Sequence, residues 1–243
     1  EIAAKHGLLL IEDASHAPGA KHAGKKLGTF GNMGVFSLHQ RKAISTGDGG
    51  IICTNEGQLA EKLRKRRSFG DEELSYNYRM TEFSAALGRL GLEHLDEDNK
   101  KRIWAAEYLN ELLSDQTWVK TRLVKSPDFG VYYAIAIELN LTDDAASELL
   151  QHFTSLGVPM RKLFEPLNRH PHFRNSPKPP RGLPWQNPNY TGSMRDINYY
   201  GLNLPVAYEY CYGRILELYA HPGVNEYHLE EFSKELKIQY ETR

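Results

Sequence analysis

Residues 11–55 read IEDASHAPGAKHAGKKLGTFGNMGVFSLHQRKAISTGDGGIICTN, and this stretch decides the fold. The apolar run Leu8 to Ile11 stops abruptly at Glu12-Asp13. That is the pattern of a buried parallel strand with polar residues at its carboxyl end, where α/β proteins place their chemistry. Val35-Phe36-Ser37 and Ile51-Ile52-Cys53 read as two further short buried strands. Gly28, Gly31 and Gly34 have a GxxGxxG spacing that turns between strands explain, and it is not the dinucleotide fingerprint.

Between the last two strands lie Lys42 and the turn Gly47-Asp48-Gly49-Gly50. Lysine is costly to bury and ordinarily stays on the surface. Held between a strand end and a Gly-rich turn, it can instead act as the free amine and attack a carbonyl. Asp13 and Ser37 fall at neighbouring strand ends. A lysine for the cofactor aldehyde, a carboxylate for the protonated pyridine nitrogen and a hydroxyl for the phosphate are the parts that pyridoxal 5'-phosphate (PLP) chemistry requires. Taken singly, Asp13 is a helix cap or turn residue, Lys42 a surface lysine, and Ser37 carries almost no information. The conjunction carries the argument.

Outward from this stretch, Glu1 to His6 reads as a helix end capped by Gly7, and Glu56 to Arg67, Thr81 to Leu95 and Asn99 to Leu113 as helices. The basic run Lys62 to Arg67 falls on one of them and reads as a solvated face. Thr117 to Pro127 reads as a boundary. Beyond it, Val131 to Leu139 alternates as a half-buried antiparallel strand, and Asp143 to Leu156 is an amphipathic helix with Ala146, Leu149, Leu150 and Phe153 inside. Phe173 to Tyr190 is a proline-rich loop, Tyr199 to Tyr219 an aromatic-rich segment that includes a helix, and His228 to Ile238 a closing amphipathic helix. The fold class is therefore α/β: a large domain with a mostly parallel sheet over residues 1–118, then a smaller α+β C-terminal domain over 119–243.

The 243 residues carry 30 basic and 31 acidic side chains, so nothing asks for nucleic acid or an acidic membrane as partner. Cys53 and Cys211 are the two cysteines, far apart, which favours a reducing cytoplasm over a disulfide framework. His170-Pro-His172 lacks acidic or cysteine companions, so no metal is expected. His39 reads as a packed or hydrogen-bonded histidine lining the cleft.

The stretch at 11–55, continued by SYNYRMTEFSAALG at Ser75 to Gly88, resembles the DegT/DnrJ/EryC1/StrS family of sugar aminotransferases. The order of motifs matches: a strand ending in Glu-Asp-Ala-Ser-His, then Phe-Ser, a lysine five residues past that serine, the Gly-rich turn and Asn-Tyr-Arg-Met. Asp48 stands where the family usually has Glu. The resemblance implies a PLP-dependent transferase of fold type I. It makes Lys42 the Schiff-base lysine and proton shuttle, Asp13 the partner of the pyridine nitrogen, and His16 the contact near the phenolic oxygen. Ser37 becomes a phosphate ligand, and Asn77 a ligand to the phosphate of the neighbouring subunit in a homodimer with shared active sites. The family's proteins begin well before Glu1, so an upstream portion with further PLP contacts is expected to be missing.

The expected activity is transfer of an amino group from glutamate or glutamine to a keto-sugar nucleotide or a cyclitol ketone. The Glu165-Pro-Leu-Asn-Arg-His-Pro stretch resembles a loop near the acceptor pocket, and the C-terminal half, with PLNRHPHF and the late aromatic helix, leans slightly toward cyclitol-type acceptors. The alternatives are a non-catalytic or inactive relative that keeps the fold, and a PLP-dependent sugar dehydratase. Lys42 argues against the dehydratase, in which histidine replaces the lysine.

Overall fold

The computed structural model describes residues 1–69, 74–170 and 201–242. Its helices in chain order are α1 (Ile2–Lys5), α2 (Gly57–Arg67), α3 (Glu82–Leu112), α4 (Asp143–Ser155), α5 (Pro205–Glu209) and α6 (Glu226–Glu241). Its strands are β1 (Ile11–Asp13), β2 (Lys21–His22), β3 (Lys25–Lys26), β4 (Met33–Ser37), β5 (Gly50–Cys53), β6 (Val119–Thr121), β7 (Ala134–Leu139), β8 (Met160–Lys162) and β9 (Ile215–Tyr219). Two compact units result. One comprises Glu1–Ser114, Arg122–Ile135 and Tyr219–Arg243, the other Asp115–Thr121 and Ala136–Leu218.

In the first unit β1 runs parallel to β4, with Asp13 opposite Val35. β5 runs antiparallel along the other side of β4, with Ser37 opposite Gly50. This part of the sheet is therefore mixed where a mostly parallel one was expected. The connection from β4 to β5 contains no helix, and parallel neighbours need a longer crossover, usually helical.

The expected burial of these strands also needs correction. Leu8, Leu9, Leu10 and Ile11 are 63%, 67%, 44% and 59% exposed, and Ile52 is 49% exposed. Among the described residues no layer covers these side chains, so an apolar run that reads as buried instead faces outward.

The two helices expected at 81–95 and 99–113 are one helix of 31 residues, α3. Asp96-Glu97-Asp98 contains no glycine or proline to stop it, and Glu97 pairs with Lys101 across one turn at 3.0 Å. Thr81 caps its start by accepting from Ser84 N at 3.1 Å. The end of α3 packs against α6, where Tyr108 Oη donates to Glu230 Oε1 at 2.9 Å. α2 buries none of its side chains, so its basic run is a solvated face as read.

The second unit is built on a four-stranded sheet in the order β6-β7-β9-β8. β7 starts at Ala134, not at Val131, because Tyr133 N donates to Val131 O in a tight turn that the strand cannot include. Ile137 and Leu139 are buried, and the buried Glu138 accepts from Arg214 Nε at 2.9 Å. α4 is amphipathic as its spacing predicts, with Ala146, Leu149 and Phe153 inside. The aromatic-rich segment forms α5, one π-helical turn at Tyr210–Arg214, and then β9. The proline-rich stretch Phe173 to Tyr190 lies outside the described residues.

Phe153 is fully buried, whereas Leu156 one turn later is 57% exposed. Phe153→Ala is expected to cost about 3–5 kcal/mol through lost burial and a residual cavity. Leu156→Ala should stay within about 0.5 kcal/mol. Urea denaturation followed by far-ultraviolet circular dichroism checks the pair.

Candidate functional site

The site forms in the first unit, where the carboxyl ends of β1 and β4 meet the loop between β4 and β5. Glu12 fixes the end of β1: its two carboxylate oxygens accept from Gly28 N at 2.5 Å and Phe30 N at 2.9 Å. Gly28 has φ +83°, and a Cβ there would lie 2.2 Å from the Phe36 ring. Gly34, inside β4, would place a Cβ 2.0 Å from the Gly28 carbonyl oxygen. The spacing of these glycines thus reflects close backbone approach as well as turns.

The Lys42 loop is pinned on both sides. Leu38 N donates to Gly49 O, Gln40 N to Gly47 O and Thr46 N to Leu38 O, all at 2.8–3.0 Å. Leu38 and Ile44 are 2% and 4% exposed and pack with Leu95 of α3. Burying each contributes roughly 1.5–3 kcal/mol, comparable with the ordering cost of one or two loop residues. Gly88 and Gly91 let α3 approach, since a Cβ at either would meet Thr46 at 3.3 Å or Ile44 at 2.8 Å. Lys42 N, within this frame, donates to His39 O at 2.8 Å.

Two buried polar residues of α3 complete the frame. Asn99 Nδ2 donates to Pro18 O at 3.0 Å, and Arg102 Nη2 to Ala43 O at 3.4 Å. Arg102 Nη1 also donates to Asn99 Oδ1 at 3.2 Å. Burial pushes the Arg102 guanidinium pKa down, with Asp98 opposing the shift. The pair was missed in the sequence. Its signal is a polar residue and an arginine one turn apart among the apolar positions of a helix.

Lys42 Nζ contacts His16 Nε2. The His16 ring lies flat against Tyr133, with centroids 4.4 Å apart and planes 6° apart. Lys42 Nζ is 5.4 Å from the same tyrosine's centroid, and Tyr219 meets Tyr133 edge-on at 5.5 Å. Asp13 accepts from Ser15 N at 3.0 Å and from Ser15 Oγ. Those two hydrogen bonds hold the Asp13 carboxyl below its ordinary pKa, and the charges of His16 and Lys42 act in the same direction. Asp13, His16 and Lys42 therefore share one electrostatic neighbourhood.

Ser37 stands at the end of β4, two residues beyond the partner of Asp13, and its Oγ accepts from His39 N at 3.3 Å. His39 is exposed, and its ring nitrogen Nδ1 accepts from Arg41 N at 3.4 Å. Asn77 is not brought to the group. It is exposed, accepts from Arg79 Nε at 3.2 Å, and sits between Tyr76 and Tyr78, whose rings stack at 4.8 Å. Tyr133 is the site residue that sequence reasoning missed, because it counted as one more apolar position of an alternating strand. No group of three or more His, Cys, Asp or Glu side chains among the described residues could hold a metal ion. No helix of the described residues is long and apolar enough to cross a membrane.

Because Asp13 titrates below its unfolded value, its contribution to stability is fully present at neutral pH and is lost as pH falls through the folded pKa. Ser15→Ala should return the Asp13 pKa upward toward the ordinary carboxylate value of 3.8, so that this contribution shrinks toward zero. A carbon-detected NMR titration of the Asp13 carboxyl checks it.

Residues 1–194 match the model of the DegT/DnrJ/EryC1/StrS aminotransferase family. The chain is 34% identical over 186 residues to a GDP-perosamine synthase of Caulobacter vibrioides, covering 71% of this chain and 49% of that protein. It is 32% identical over 191 residues to an L-glutamine:2-deoxy-scyllo-inosose aminotransferase of Streptoalloteichus tenebrarius, covering 69% and 45%. The chain thus spans about half the length of the curated relatives it matches. Among solved structures it resembles PseC of Helicobacter pylori, an aminotransferase involved in the biosynthesis of pseudoaminic acid. The TM-score is 0.82 at 22% identity, covering 100% of this chain and 62% of that one. A sugar aminotransferase of Streptococcus pneumoniae in its PLP form gives a TM-score of 0.79 at 14% identity, covering 97% and 58%. The fold is that of the type I PLP-dependent aminotransferases.

Proposed function

The chain belongs to the DegT/DnrJ/EryC1/StrS aminotransferase family, and from that premise we propose that it is part of a PLP-dependent aminotransferase. In this reading the protein moves an amino group from glutamate or glutamine to a keto-sugar nucleotide or a cyclitol ketone. The contact of Lys42 Nζ with His16 beside an ionised Asp13 carries the proposal.

The residues present fit PLP. Asp13, kept charged by Ser15, is suited to hold a protonated pyridine nitrogen. In this reading His16 meets the phenolic oxygen, and the Ser37 hydroxyl takes the phosphate. When bound, PLP supplies an aldehyde for the Lys42 amine and a ring that withdraws electrons from the amino acid. With the cofactor there, Lys42 Nζ would be the base that carries the proton from the donor's Cα, Asp13 would hold the proton on the pyridine nitrogen, and His16 would meet the phenolic edge.

Asn77 belongs to the site of a neighbouring subunit in this reading, so the enzyme is a homodimer. Two observations support that assignment. Asn77 is exposed between two stacked tyrosines. Close by in the chain, Phe83, Leu87 and Leu90 of α3 recur at helical spacing and are 87%, 54% and 52% exposed. Residues 1–118 would be the C-terminal part of the large PLP-binding domain and 119–243 the small domain. The segments Arg122–Ile135 and Tyr219–Arg243 of the latter pack within the first compact unit. The two curated relatives, one a GDP-perosamine synthase and one an L-glutamine:2-deoxy-scyllo-inosose aminotransferase, support an acceptor that is a sugar or cyclitol ketone.

Adding PLP to the gene product that carries this sequence should give a visible imine band that disappears when glutamate or glutamine is supplied. Lys42→Ala should show no such band. A wild-type protein without the band, or an unchanged band in Lys42→Ala, overturns the assignment.

A further inference from the structure

We propose that Tyr133 is a positioning residue of this site, a π-face clamp that sets the plane of His16 and holds the His16–Lys42 pair in place; its consequence for PLP rests on the function proposed above. Three observations carry it. The His16 and Tyr133 rings are parallel within 6° at a centroid distance of 4.4 Å, so the imidazole cannot rotate about its own axis without colliding with the phenol. That orientation directs Nε2 along the tyrosine face toward Lys42 Nζ. The Lys42 ammonium itself lies 5.4 Å from the Tyr133 centroid.

Electrostatics gives the clamp a second effect. Lys42 Nζ and His16 Nε2 are in contact, so a positive charge carried by this pair lies close to the tyrosine ring. The electron-rich face of Tyr133 lies under one partner and within cation–π range of the other, so it favours that charge wherever it resides. Asp13 adds a negative charge to the same neighbourhood.

Tyr133 is itself fixed. Tyr219 meets it edge-on at 85°, its N–H donates to Val131 O at 3.1 Å, and its carbonyl accepts from Ala220 N at 3.4 Å. The backbone turn that delays the start of β7 to Ala134 is thus what turns this ring into the His16 site. The positioning assigned here is that of the stacked ring. Tyr133→Phe therefore keeps the clamp and Tyr133→Leu removes it.

The test uses the gene product that carries this sequence, with imidazole resonances assigned through His16→Gln. In the wild-type protein without PLP, the His16 ring protons should lie upfield and show nuclear Overhauser contacts to the Tyr133 ring. Both signatures should persist in Tyr133→Phe, and the resonances should move downfield in Tyr133→Leu. PLP affinity, read by equilibrium dialysis, should weaken roughly three- to tenfold in Tyr133→Leu but not in Tyr133→Phe. Absence of the wild-type Overhauser contacts overturns the clamp even if Tyr133→Leu fails to fold. Unmoved His16 resonances in a folded Tyr133→Leu overturn it as well, as does equal weakening of PLP binding in both variants. Failure of the wild-type protein to bind PLP strikes the proposed function instead, and the cofactor-free resonances still decide the role of Tyr133.

Discussion

Asn99 and Arg102 hold the carbonyls of Pro18 and Ala43, and the rest of the site depends on that pair of hydrogen bonds. Pro18 follows His16 by two residues, and Ala43 follows Lys42 directly. Both loops are thereby referenced to adjacent turns of one helix. Asn99 and Arg102 are only 3% and 6% exposed, so their polar atoms must be satisfied by protein groups. The demand for partners in a dry position is what makes the loop placement specific. Hydrophobic packing of Leu38 and Ile44 on Leu95 supplies the attraction but would tolerate sliding, and the two directional contacts do not.

What could be read in the sequence divides along a physical line. Lys42, Asp13 and Ser37 could be nominated from the sequence because their residue types at strand ends describe one chemistry, and the order of motifs around them is specific. Helices α4 and α6 were legible because apolar spacing and caps are local signals, and α2 because of its composition and length. The single helix α3 was not, since nothing local tells two abutting helices from one, and the ion pair of Glu97 with Lys101 is compatible with either. Burial of Leu8 to Ile11 was misread for a different reason. An apolar run reports what a segment could bury, and exposure depends on which other segments lie over it.

Tyr133 illustrates a third kind of limit. In the sequence it occupies a place in an alternating pattern, Val131-Tyr132-Tyr133-Ala134-Ile135, that is satisfied whether or not the strand extends that far. The hydrogen bond from Tyr133 N to Val131 O ends the regular pattern before β7 begins, and only then does the ring's direction cease to follow from alternation. His16 likewise gives no hint in sequence of what its second face touches. A contact between residues more than a hundred positions apart is a property of the fold, and it is the kind of contact from which active sites are assembled.

Gly34 and Gly28 carry an implication for how this scaffold can diversify. A methyl group at position 34 would meet the Gly28 carbonyl, a backbone atom that no rotamer change can move aside. The same strand ends in Ser37 and leads directly into the Lys42 loop. Displacing it by even a fraction of an ångström would shift both residues together. Change is therefore open to the side chains around this site, while the backbone beneath them has room for a single residue type at these two positions.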